Sequence, residues 1–199
     1  MKFFRENFDN IIKLFIYQIG TAIFSFFLYS AAGSMSDDGS TPLSIKVSLS
    51  VLSIAFYFLL VYTLLWEAGA KDKIRIDGGR AEKEPFKGMF SALMANVINF
   101  VLAGAATLLM WLYMLTEQDG FKSAFLILNL FMRFLLSVYL GAVQGIFASF
   151  ESNVNLYYLL QSAGFLVLPL ISVLFAHFSY RMGLAEKRIF GFLNPKNKK

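Results

Sequence analysis

Cysteine is absent from the 199 residues, and histidine occurs once. The first absence excludes a disulfide-stapled secreted domain and any thiolate metal centre. The second leaves His177 without the paired ligands that a metal ion requires, so its expected role is an interfacial hydrogen bond. Charge is also scarce: Asp, Glu, Lys and Arg make up 16% of the chain, against roughly 25% in ordinary soluble domains. Hydrophobic residues fill the space at 57%, among them 23 Phe, 9 Tyr and 2 Trp. A soluble domain of this length buries about 70% of its surface, which would leave many of those side chains in water as apolar patches. The mean hydropathy of +0.61 agrees. These features predict an all-α polytopic membrane protein in a single domain, with the lipid bilayer as its first partner.

Chemical signatures are missing too. The sequence has no Walker loop, HExxH, GxSxG or CxxC motif, and no cluster of carboxylates within its apolar stretches. It therefore gives no reason to expect an enzyme, a metal or a cofactor. Nucleic-acid binding is not expected either, because the pI of 9.4 arises from residues flanking apolar segments rather than from one basic stripe.

A membrane span needs about 20 mostly apolar residues. Residues 14–32, 44–66, 89–116 and 156–178 meet that standard, and 124–150 form a fifth, less simple stretch. Twelve of the eighteen Lys and Arg lie in two places, residues 67–88 and the tail 179–199. The joins near Asp37, Glu117 and Glu151 are acidic. By the positive-inside rule the basic segments are cytoplasmic, and Lys2, Arg5 and Lys13 place the N-terminus there as well. Five spans would then leave the basic tail outside. Four full spans plus a re-entrant or interfacial segment over 124–150, broken at Gly141 or Gly145, reconcile charge with hydropathy; a five-span bundle is the alternative. Residues 1–13 read as an amphipathic piece on the inner leaflet. A bacterial inner membrane is the expected location.

Polar side chains inside spans reveal the bundle interior, since lipid cannot satisfy them. Ala92, Asn96, Asn99, Ala103 and Ala106 share one helical face, as do Gln18, Ala22, Ser25, Tyr29 and Ala32, and nearly so Asn129, Arg133, Ser137, Gly141 and Gln144. Such stripes serve helix packing, or they line a site for a small solute formed by Gln18, Asn96, Asn99, Arg133 and Gln144. Arg133 at mid-segment costs about 2.5–3.5 kcal/mol to insert unless a cavity or counter-charge receives it. Glu67, Glu151, a carbonyl freed by a helix break or an anionic ligand could do so, and an interfacial Arg133 would instead snorkel.

The stretch Trp66 to Gly88 is the richest polar feature. Trp66 marks an interface, Gly69 is a candidate helix cap, and Ile74 and Ile76 alternate around Arg75 like a short strand before a turn at Gly78-Gly79. The expectation is a two-stranded ribbon or hooked loop. It would contact lipid or a cytoplasmic or membrane partner subunit through Trp66, Glu67, Arg80, Lys83 and Lys87, with Arg188 of the tail, or grip a phosphate with Arg80, Lys83 and Lys87; a plain solvated loop is the simpler reading. Met182 to Leu193 reads as an amphipathic tail ended by Pro195, and Pro169 as a kink in the last span. Two functions fit: a small transport component that binds or passes a solute, or a non-transporting accessory, immunity or sensory subunit.

Overall fold

The computed structural model describes residues 2–34 and 41–189. Helix accounts for 87% of these residues and none lies in a strand. The elements are α1 (Lys2–Ser34), α2 (Leu43–Asp77), α3 (Lys87–Ala95), α4 (Val97–Thr116), α5 (Asp119–Leu135), α6 (Ser137–Phe147), a single 3-10 turn (Ala148–Phe150) and α7 (Val154–Leu184). Four helices, Asn7–Gly33, Leu43–Asp77, Val97–Thr116 and Val154–Leu184, are long and apolar enough to span a bilayer, and α5 and α6 form a pair bent by 113°. The chain is thus a multi-pass membrane protein. Its outward surface fits that solvent: Phe27, Val101, Leu130 and Leu174 are each more than 60% exposed, an arrangement water would penalise.

Contacts between helices give their directions. Tyr29 near the end of α1 donates to the Lys46 carbonyl near the start of α2, so α1 and α2 are antiparallel. Gly69 and Gly183 bring the last turns of α2 and α7 together, making those two parallel. Gly104 faces Leu166 while Tyr57 brings Asn96 near Ser172, which sets α4 antiparallel to α7. It follows that α4 ends, and α7 begins, at the end of the bundle that carries Glu117, Asp119 and Glu151. The α5–α6 pair leaves that acidic end and returns to it, and the start of α1 lies with the end of α7 at the opposite, basic end.

The pair is held inside the bundle by hydrogen bonds that join broken backbone to neighbouring helices. Ser137 donates to the Ala22 carbonyl at 2.7 Å and Ser50 to the Val138 carbonyl at 2.7 Å. The Gly141 N–H donates to the Tyr29 hydroxyl at 3.0 Å. Irregular backbone survives at membrane depth only with such partners. The break falls at Leu136, where φ is −105° and ψ 21°, and not at Gly141 or Gly145. Those glycines serve close packing: a side chain at Gly141 would strike the Lys46 carbonyl, and one at Gly145 would meet Val47.

Other local expectations are corrected. No ribbon forms, because α2 runs on through Ile74 and Ile76 to Asp77; helical continuation satisfies backbone groups that an isolated strand would leave bare. Gly69 is interior to α2 and caps nothing. The stretch 89–116 is split at Asn96, whose side-chain amide donates to the Ala92 carbonyl at 2.9 Å, competing with the backbone for a helical acceptor. Residues 2–13 continue into α1 as one helix, with Ile11 and Leu14 buried. The chain after α7 turns at Glu186, whose φ is 55°. It then folds back on α2, where the Trp66 indole donates to the Lys187 carbonyl at 2.6 Å and the Ile189 N–H donates to Tyr62. The expected amphipathic tail therefore does not extend α7 as far as residue 189. Its remainder, with Pro195, Lys196, Lys198 and Lys199, lies outside the described residues.

Candidate functional site

Three discontinuities meet inside the bundle. The α3–α4 joint contributes Asn96, the α5–α6 joint is followed within three residues by Tyr139, and α7 contributes Pro169 and Ser172. Tyr57 of α2 sits among them, beside Asn96 and Ser172 and close to Tyr139. Pro169 has no N–H to offer the Phe165 carbonyl, and Ser172 donates to the Pro169 carbonyl at 2.7 Å. Asn99 donates to the Asn96 side-chain oxygen at 3.1 Å. Tyr57, Asn96, Asn99, Tyr139 and Ser172 are each 3% exposed or less.

The interior holds more hydrogen-bonding capacity than it uses. The hydroxyls of Ser53 and Tyr139, the Gln18 Oε1, the Asn129 Oδ1 and both polar atoms of Gln161 are buried without a partner. Each such group costs about 1–3 kcal/mol unless a buried water or a ligand satisfies it.

The ligand set expected from the stripes is partly assembled. Asn96 and Asn99 are together and Gln18 is buried. Gln144 is buried on α6. Arg133 is half-buried near the end of α5, and its charge acts on Tyr157 of α7, as does that of Glu151. Glu67, considered as its counter-charge, instead faces Lys71 at 3.9 Å. His177 stacks its ring on Phe86 at 5.4 Å, and its Nδ1 is buried with no protein partner. Among the described residues no group of His, Asp and Glu is arranged to hold a metal ion.

A second polar region lies at the basic end. Gly69, Gly88 and Gly183 let three backbones close on one point, since a side chain at any of them would run into Tyr180 or the Trp66 carbonyl. Tyr180 is thereby fixed with its hydroxyl donating to Asp72 Oδ2 at 2.8 Å. Lys87 at the head of α3 approaches the same oxygen at 2.7 Å, with side chains only 16% and 12% exposed, and Arg75 stands 3.9 Å from Oδ1. A cleft of about 720 Å³ opens beside this group, lined by Arg75, Arg80, Glu82, Glu84 and the backbone at Gly79. Of the residues expected to grip a phosphate, Arg80 and Lys87 line it and Lys83 does not. Trp66 and Arg188 form a separate cation–π pair, with the guanidinium carbon 4.4 Å from the ring centroid.

Sequence reasoning passed over Asp72, Tyr180, Tyr57, Tyr139 and Ser172. Asp72 lies in a mixed charged run and the tyrosines among many aromatics, so only the fold distinguishes them. No family model, curated protein or solved structure matches this chain.

Proposed function

We propose that this chain is a small integral component of a cell-membrane transport system, with both termini cytoplasmic, that binds or passes a small polar solute at the Tyr57 hub. The observation that supports the reading is the convergence of three helix discontinuities on buried hydroxyl and amide groups, Tyr57, Tyr139 and Ser172 with Asn96 and Asn99. Broken helices near the bilayer midplane expose backbone dipoles and mark solute and ion sites in transporters. The hub is closed to solvent in this conformation, as an occluded state requires. Asn96 and Asn99 supply amides, Tyr139 and Ser53 supply free hydroxyls, and opening would come from the joints at Asn96 and Leu136.

The native chain offers no thiol, so accessibility is a clean test. A Ser53→Cys variant in membranes should react with a small charged methanethiosulfonate reagent, while Leu59→Cys on the lipid face should stay inert. Asn96→Leu combined with Asn99→Leu should abolish any ligand-induced thermal shift in a screen of polar metabolites and ions. If Ser53→Cys is as inert as Leu59→Cys, the closed interior is permanent and the accessory reading, binding a partner protein, replaces this one.

A further inference from the structure

The cleft at the basic end is distinct from the hub and carries its own chemistry. Asp72 is satisfied by Lys87 and Tyr180, which removes one carboxylate and one ammonium from ligand binding. Four charged side chains remain on the lining: Arg75 and Arg80, Glu82 and Glu84. Among the described residues Arg80, Glu82 and Glu84 make no ion pair, and the only partner of Arg75 is the already saturated Asp72 at 3.9 Å. Arg80 is held in place: its backbone N–H donates to the Arg75 carbonyl at 2.9 Å, and its guanidinium lies against Gly78. Glu84 lies close enough to Tyr180 to act on it electrostatically. Two unspent guanidiniums and two unspent carboxylates thus face one space. A simple anion would meet the guanidiniums but be repelled by the glutamates, and a simple cation would suffer the reverse. A ligand carrying both charges meets both.

The surroundings give its setting. Ile74 on α2 is 63% exposed and Phe86 at the mouth of α3 is 53% exposed, each next in sequence to a lining residue, Arg75 and Lys87. Apolar residues left bare beside charges are typical of a bilayer interface, where acyl chains cover the former and headgroups reach the latter. We propose that the cleft binds a zwitterionic phosphoester bearing a primary ammonium, its phosphate on Arg75 and Arg80 and its ammonium on Glu82 and Glu84. A phosphatidylethanolamine headgroup and free phosphoethanolamine share this chemistry. A quaternary ammonium lacks the N–H donors that the carboxylates would accept, so a choline headgroup binds less well. The inference does not depend on transport through the hub.

Test it with the full-length chain in nanodiscs of equal parts phosphatidylethanolamine, phosphatidylglycerol and phosphatidylcholine, released and weighed by native mass spectrometry. Phosphatidylethanolamine should be retained in preference to both others. Glu82→Gln with Glu84→Gln should cut that preference by at least about tenfold, and Arg75→Gln with Arg80→Gln should cut retention of all three phospholipids by a similar factor, since the first pair removes charge-assisted contacts to the ammonium and the second removes those to the shared phosphate. These side chains are exposed, so an unchanged melting temperature is expected and certifies the fold. Competition by free phosphoethanolamine without lipid retention would assign the site to a soluble ligand of the same chemistry. Equal retention of phosphatidylglycerol, insensitivity to the glutamate changes, or failure of both probes to bind would overturn the proposal.

Discussion

The hub around Tyr57 and the charged cleft beside Tyr180 are built from the same helices by opposite means. At the hub, polar groups are sealed inside hydrocarbon-like packing, and Ser53 and Tyr139 go unpaired. At the basic end the single buried carboxylate, Asp72, is fully matched by Lys87 and Tyr180, and the unmatched charges are left exposed. Burial is the deciding variable. An unpaired hydroxyl costs about 1–3 kcal/mol when buried, whereas an unpaired buried carboxylate would cost far more. The bundle thus leaves hydroxyls unmet in its interior and charges unmet only where water or headgroups can reach them.

The contrast can be broken most severely at the matched pair. Lys87→Met strands Asp72 and should destabilise the protein by about 3 kcal/mol, read as a large drop in melting temperature in detergent. Adding Asp72→Asn should restore more than half of the loss. Gly183→Val drives a side chain into the Trp66 carbonyl, and the forced separation of α2 from α7 should cost about 2 kcal/mol. Ser50→Ala and Ser137→Ala each remove one bond between the bent α5–α6 pair and its neighbours, for about 0.6–1 kcal/mol apiece. Tyr139→Phe removes an unpaired hydroxyl and should leave stability unchanged or raised by up to about 1 kcal/mol. A substantial loss on Tyr139→Phe would mean that the hydroxyl has a partner, and the distinction between hub and cleft would weaken.

Much of the architecture was legible because lipid imposes simple demands. Long apolar runs marked the helices long enough to span, and the unequal charge of Glu67 to Gly88 and the acidic joins argued for an even number of crossings, the arrangement that the vesicle labelling below tests. The polar stripes at Asn96, Asn99 and Gln18 correctly pointed inward, because unsatisfied amides are costly toward acyl chains. Local breaks were less legible. Leu136 interrupts a helix with no Gly or Pro to announce it, because Ser50 and Ser137, one of them from a distant segment, supply the compensating bonds. Ile74 and Ile76 imitate strand alternation at the end of a helix that packs on α7 through Gly69 before reaching them. Asp72 and Tyr180, 108 positions apart, become partners only through the approach of three glycines.

The sharpest test concerns the α5–α6 pair, since its return to the acidic end is what carries Tyr139 to the hub. Single cysteines introduced as Gln118→Cys, Ser152→Cys, Asp9→Cys and Glu186→Cys can be probed with a membrane-impermeant maleimide from each side of oriented vesicles. Gln118 and Ser152 should react from one face, and Asp9 and Glu186 from the other. Labelling of Gln118 and Ser152 from opposite faces would make residues 119–150 a crossing, part the two chain ends, and remove the structural basis for the hub.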